Sequence, residues 1–539
     1  MKSGFLPSFA AIALLATLAI PGGMAAQQQG SQHHHYKLID MGTFGGSESA
    51  INMATDIDGR AINMRGVTVG FSATAAPKLP TSNPIICGGD DGLGSTITHA
   101  FRWENGAVTD LGALSPVETN CSNAYQVNAS GEIAGFSENG AFDPLTGTNQ
   151  SRAVHWVNGQ IEELGSFGGN QNEALAINNR GQIVGFSLNT TPDPFSIFDI
   201  ILNLILGTSG GTQTRAFLWQ HGQMQDLGTL GGNDAAAFYI NERGQIAGHS
   251  YTSTIPNPTT GLPPQDPFLW ENGRMIDLGT LGGAYGMVSA GQGSGLNNLG
   301  QVIGASSTAA NPGACIFTEF DPNCHPFLWD RGKLIDLNTS TIGGNPIGAD
   351  EINDAGEIVG SADFSSVGGS PFDAYLWRNG VATDLGAVSG DCFSRALAIN
   401  ARGQVVGNSF SPACDFNPSH AFLWEKGAII DLNEVIHAAS SLQLAASNDI
   451  NDRGEIAGEG VPPGCALVDL GTCGHAFLLI PCDENHPGVE GCDYSMVDEV
   501  ATATVSTMPT KRLSSDAVRQ SMKSLGLRSR LWHRGVGTR

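Results

Sequence analysis

Short apolar runs separated by glycine-bearing turns recur along most of the chain. In one block, Ala216-Phe217-Leu218-Trp219 is followed by Met224-Gln225-Asp226-Leu227-Gly228 and the pair Gly231-Gly232. The block then closes with Ala237-Phe238-Tyr239-Ile240-Asn241 and Gly244-Gln245-Ile246-Ala247-Gly248. Its tryptophan returns at Trp103, Trp156, Trp219, Trp270, Trp329, Trp377 and Trp424, 47 to 63 residues apart. That period belongs to solenoids and propellers.

Each block predicts four strands. The first, such as Phe268-Leu269-Trp270, is apolar at consecutive positions, as in a strand covered on both faces. Asn-Gly turns follow at Asn105-Gly106, Asn158-Gly159, Asn272-Gly273 and Asn379-Gly380, suited to hairpins whose central residues take positive φ. The second strand ends at Asp-Leu-Gly, and a Gly-Gly loop leads to a third that ends in Ile-Asn. A turn centred on Gly181, Gly244 or Gly403 opens the fourth. Four such strands predict one propeller blade, and a lone blade needs neighbours to cover its two faces.

The ends predict a closed ring. Tyr36-Lys37-Leu38-Ile39-Asp40 is a second strand with no first strand before it, and His475-Ala476-Phe477-Leu478-Leu479 is a first strand with no second after it. Paired, they complete a unit and remove two exposed sheet edges. The expected fold is all-β, a single eight-bladed β-propeller of four-stranded blades; seven blades is the alternative.

His99-Ala100-Phe101, His420-Ala421-Phe422 and His475-Ala476-Phe477 open blocks that continue through Asp-Leu-Gly and Ile-Asn to Gly-Gln-Ile-Val-Gly. Over residues 36–480 this pattern resembles the bacterial extracellular HAF repeat family, and more loosely the kelch propellers. The resemblance implies an exported bacterial β-propeller with no assigned chemistry. Some units depart from it: Ala153-Val154-His155-Trp156 lacks the phenylalanine, Asp336-Leu337-Asn338 and Asp431-Leu432-Asn433 lack the glycine, and Gly390 stands in for a Gly-Gly.

Composition adds a compartment. Lys2, an apolar run from Phe9 to Ile20 and the small residues ending at Ala26 read as a signal peptide over 1–26. About a dozen apolar residues cannot cross roughly 30 Å of hydrocarbon, so the mature chain is expected to have no transmembrane segment and to be secreted or periplasmic. The greasy stretch Phe195–Leu206 is likewise too short, and is expected as a short helix packed on the body. Residues 27–35 read as a disordered Gln/His-rich linker, 36–481 as the propeller, 482–500 as a disulfide-containing extension and 501–539 as a basic tail, partly helical or disordered. The chain holds 51 acidic and 26 basic residues, which argues against a nucleic-acid partner.

Ten cysteines in an exported chain read as disulfides. Near neighbours pair Cys87 with Cys121, Cys315 with Cys324, Cys392 with Cys414, Cys465 with Cys473 and Cys482 with Cys492, although spacing alone leaves connectivity open. The first eight follow second or fourth strands, hence one face of an up-down ring. The long insertions 74–98, 189–214, 251–265 and 308–323 follow fourth strands and build up the same face.

No catalytic, metal or cofactor site is expected. The block-opening histidines share their position with Arg152, Arg215, Asp266 and Asp373, which marks a strand-end polar contact rather than metal ligation. The recurring Asp110, Asp226, Asp277, Asp336, Asp384 and Asp431, with Glu163 and Asp40 in the same slot, are expected to accept hydrogen bonds from turn amides. His33-His34-His35 reads as a terminal tract. The motif search finds no aspartate box, calcium loop, nucleophile elbow or phosphate loop. The expected role is a binding or scaffolding module with an open ligand, a glycan or a cell-surface protein. A polysaccharide hydrolase or lyase and a structural envelope protein are the alternatives.

Overall fold

The computed structural model describes residues 31–500 except 52–59, 84–86, 88–94, 199–210, 289–293, 314, 316–322, 340–344, 365–371, 412–417, 438–439, 493 and 495–496. The expected signal peptide and basic tail lie outside the described residues. Strands dominate the regular structure of the described residues, with helix limited to short 3-10 turns, Ile197 and Phe198 of the expected helix, and one α-helical turn at Leu470–Cys473. No helix among the described residues is long and apolar enough to cross a membrane.

The strands form four-stranded antiparallel units in chain order. Unit 1 pairs Gly45–Ala50, Thr68–Pro77, Thr96–Glu104 and Ala107–Asp110. Units 2 to 7 cover residues 122–163, 168–226, 235–277, 282–336, 345–386 and 393–431. Single parallel pairs, Gln171 with Ser151 and Gln265 with Tyr285, fuse units 2 with 3 and 4 with 5 into eight-stranded sheets. Unit 8 takes Gln443–Ile450, Ile456–Val461 and His475–Pro481 from one end of the chain and Tyr36–Asp40 from the other. Tyr36 lies opposite Pro481 and Asp40 opposite Phe477, the terminal pairing the sequence anticipates.

Two details differ from the sequence reading. Sheet boundaries fall inside the sequence block: the third and fourth strands of one block pair with the first and second of the next. The Gly-Gly segment is therefore the crossover between sheets, because the second strand is an edge and pairs with the first alone. Ser31–His34, expected within a disordered linker, pairs antiparallel with Val497–Val500. Backbone pairing between the two ends outweighs the polar composition that reads as a linker.

The core lies where first and fourth strands meet. Phe101, Phe217, Phe268, Phe327, Phe422 and Phe477 are fully buried. Each rests against a fourth-strand glycine: a Cβ on Gly248 would sit 2.1 Å from the Ala236 carbonyl oxygen and 2.6 Å from the Phe268 ring. The repeated glycine thus lets the third strand and the phenylalanine approach from both sides.

Neighbouring units are joined by their third strands. The asparagine ending each of these donates its Nδ2 to the backbone carbonyl of its counterpart. The bonds run Asn63 to Asn128 (2.8 Å), Asn128 to Asn178 (3.2 Å), Asn178 to Asn241 (3.1 Å) and Asn241 to Asn297 (2.9 Å). They continue from Asn297 to Asn353 (2.9 Å), Asn353 to Asn400 (3.2 Å), Asn400 to Asn451 (3.0 Å) and Asn451 back to Asn63 (2.9 Å). The same side chain caps its own turn: Asn241 Oδ1 accepts from the Arg243 and Gln245 amides, both at 3.0 Å. A serine adds a second stitch. Ser122 Oγ accepts from the Ala100 amide (2.9 Å) and donates to the Gly112 carbonyl (2.7 Å), and Ser49 repeats this with Ala476 and Gly42 across the two ends of the chain.

Asn241→Ala should lower stability by about 2–3 kcal/mol, since it strands buried backbone groups of two units at once. A urea midpoint within error of the wild type would show that the amide contributes nothing.

Candidate functional site

Antiparallel order puts the asparagine turns and the Asn-Gly hairpins at one end of the units. The crossovers and the fourth-to-first connections emerge at the other. The first end is uniform: Asn128, Asn178, Asn241, Asn297, Asn353, Asn400 and Asn451 each also bond the Glu or Gln four residues on. The second end carries the connections of unequal length.

Disulfides fasten this second end. Cys87–Cys121 ties a connection of unit 1 to the crossover before unit 2, while Cys315–Cys324 and Cys465–Cys473 each close a fourth-to-first connection. Cys482–Cys492 closes the extension. Cys392 is also disulfide-bonded, and its expected partner Cys414 lies outside the described residues. Cys87, Cys121 and Glu138 bring three potential metal donors together. The two sulfurs are consumed by their bond, and Glu138 accepts from the Asn83 (2.7 Å) and Cys121 (3.1 Å) amides, so the set serves structure. Of the greasy stretch, Phe198 is buried against Phe186, and residues 199–206 lie outside the described set.

The residue opening each first strand meets the acid closing the second. His99 Nδ1 lies 3.0 Å from Asp110, His325 Nδ1 3.0 Å from Asp336, His475 Nδ1 3.0 Å from Asp40, and Arg215 Nε 3.0 Å from Asp226. Arg152 faces Glu163 at 3.3 Å, whereas His420 turns to Asp391 (2.8 Å) with Asp431 at 3.8 Å. The acid also accepts the amide two residues on, as from Gly112 to Asp110 (2.7 Å) and Gly279 to Asp277 (2.8 Å). This is the strand-end contact and turn cap read from the sequence. Asp336 and Asp431, which lack the glycine, cap short 3-10 turns through the Asn338 and Asn433 amides, each at 2.9 Å.

In units 4 and 6 the opening residue is itself an acid, so carboxyl faces carboxyl. Burial, reinforced by the neighbouring Asp277, pushes Asp266 up to about 7. Burial and Asp384 do the same to Asp373, also to about 7. In units 1, 5, 7 and 8 the opening residue is a histidine. Burial opposes its charge at His99, but hydrogen bonding and charge from Asp110 more than offset this and hold it above the ordinary histidine value. His420 is raised first by its bond to Asp391.

A second group of charges lies along the third strands, where sequence reasoning assigned nothing. Arg60 of unit 1 meets Glu351 of unit 6 at 3.4 Å. The asparagine cycle places units 7 and 8 between them, so this pair reaches across the middle of the cycle. Glu351 also accepts the Ile399 amide (2.8 Å) and Asp449 the Ile62 amide (3.1 Å), each from the following unit. Burial outweighs the attraction of Arg60 and pushes Glu351 up to about 7 and Asp449 to about 6. Arg395 with Asp350 and Tyr125 with Glu173 join adjacent units in the same layer. The only signal in sequence is an acid at a position that holds Ala176 and Ala398 in other blocks. One strand-based rule cannot separate it from a solvated charge.

No protein-family profile and no curated protein matches this chain. Among solved structures, Pyrococcus horikoshii acylaminoacyl peptidase shares 12% identity at a TM-score of 0.34, covering 68% of this chain and 53% of its own. Penicillium chrysogenum α-L-arabinanase in complex with arabinobiose shares 9% at 0.26, covering 66% and 92%, and Trypanosoma rangeli sialidase 11% at 0.26, covering 60% and 56%. The chain thus spans about half the length of the peptidase. At TM-scores this low the likeness carries no inference about activity.

The strand-end pairs set a pH dependence. A histidine with a raised pKa contributes stability below its ordinary value and loses it as pH climbs through the raised one. A carboxyl raised to about 7 loses stability between its ordinary range and pH 7. Both act in one direction, so the Tm should fall from pH 5 to pH 8. Asp266→Asn should raise the Tm at pH 8 and leave it near wild type at pH 5; an equal shift at both would show that the carboxyl pair is not the cause.

Proposed function

We propose that this chain is an exported eight-bladed β-propeller of the HAF-repeat kind, working as a binding or scaffolding module through its disulfide-bearing face. The observation that carries the reading is the contrast between the two ends of the units. At one end the same asparagine turn recurs in every unit, locked into a cycle of hydrogen bonds. At the other, connections differ in length and are fastened by disulfides. A repeated turn that must bond to its neighbour has little freedom to vary, whereas loops held on a rigid scaffold can diversify for recognition. The return of the asparagine cycle from Asn451 to Asn63 supports a closed ring and favours eight blades over seven. The disulfides fit an oxidising compartment.

A polysaccharide hydrolase gains its support from the raised acids Asp266 and Asp373, which meet Asp277 and Asp384 on this same face. Each pair belongs to one strand hairpin, and Asp266 bonds Asp277 directly. Retaining glycosidases hold their carboxyls about 5 Å apart and inverting ones farther, with the sugar between. The directly bonded Asp266–Asp277 pair leaves no such gap, and binding is the reading we favour.

A glycan array and a cell-surface pull-down with the purified mature chain test this. Replacing 253–263 by a two-residue linker should weaken binding at least tenfold with little change in Tm. Leu299→Ser, at an exposed asparagine-face position, should leave it unchanged; the reverse pattern moves the site to the other face.

A further inference from the structure

We infer that a cleft between units 2 and 3 on the disulfide-bearing face is a subsite for one ring of a neutral sugar, an inference that rests on the reading of that face as the recognition surface. The cleft has a volume of about 210 Å³ and opens between the connection that follows Ile133–Asp143 and the Gly168-Gly169 crossover. That is below the roughly 300–1,000 Å³ of drug-sized sites, which limits the guest to one small ring.

Its lining is amphipathic. Leu145, 47% exposed, and Leu188 provide apolar wall, while Asn170, Thr190 and Thr212 provide hydrogen-bonding groups. The Thr190 and Thr212 hydroxyls have no hydrogen-bond partner among the described residues. Asn170 spends its Nδ2 on Asp143 (3.0 Å), which leaves its Oδ1 open.

The lining also excludes charged guests. Among the described residues it contains no Lys, Arg or Glu, in a chain of formal net charge −25, so none of them would hold an anion. The one acid among the described lining residues, Asp143, is 1% exposed and already accepts from Asn170, Gln171 (2.9 Å) and the Leu145 amide (3.0 Å), so it is not offered to a cation. Uncharged donors and acceptors around an apolar wall match a pyranose, whose ring face is C–H and whose edge is hydroxyl. The crossover glycines keep the floor open: a Cβ on Gly168, at φ +98°, would lie 3.0 Å from Thr190 Cγ2, and one on Gly169 would overlap Leu188 at 2.5 Å.

Calorimetric titration of the mature chain with malto-, cello-, xylo-, laminari- and chito-hexaose tests this. At least one neutral hexaose should bind. Thr190→Arg, which fills the cleft from an exposed position, should weaken it at least tenfold; Leu145→Ala should weaken it severalfold and Thr190→Ser should retain it. The inference is overturned if no neutral hexaose binds or if Thr190→Arg binds as the wild type does. Hexaose binding lost on replacing 253–263 but kept in Thr190→Arg removes the cleft and leaves the recognition face standing. Array binding confined to anionic glycans or to protein has the same meaning.

Discussion

The asparagine side chain at the end of each third strand is the contact on which the rest of the structure depends. It uses its carbonyl to hold its own turn and its amide to hold the neighbour's backbone. A unit that lost its neighbour would therefore lose the cover of its sheet faces and also a partner for a buried donor. Because Asn451 returns to Asn63, the penalty for opening any one junction is shared by the chain ends as well. The terminal strand Tyr36–Asp40 works within the same constraint, giving the last unit the edge strand that the chain order withholds from it.

Within each unit a second, more variable contact closes the outer hairpin. The chemistry there changes from His–Asp to Arg–Asp to Asp–Asp while the acid stays paired with the same strand position, since an opposite charge and a shared proton both satisfy two facing polar groups. In the acid–acid units the proton must come from solvent, so those hairpins, with the raised histidines His99 and His420, respond to pH in the neutral range.

These two contacts divide the molecule. The asparagine end is committed to holding units together, and the charges reaching across its middle, Arg60 with Glu351, are bound to backbone amides or to each other. The opposite end carries fewer repeated junction bonds, the serine stitch and Cys87–Cys121 among them, and the disulfides there supply order to loops that lack a ladder of their own.

The strand pattern, the terminal half-units and the near-neighbour cysteines were all legible in the chain, because each is a local signal: consecutive apolar residues, turn residues and sequence spacing. So was the strand-end contact, whose tolerance of His, Arg and Asp marked it as structural. The blade boundary was not. A repeat read in order begins at its most conspicuous strand, and only pairing in space shows that the Gly-Gly segment crosses between sheets. The asparagine looked like a turn residue, since its partner lies some fifty residues away and contributes only a carbonyl, which no side-chain pattern records. Arg60 and Glu351 are 291 residues apart and meet only because the ends are joined. Local sequence determined the units and how each folds; long-range geometry decided where one ends, what binds it to the next and which end carries the unequal connections.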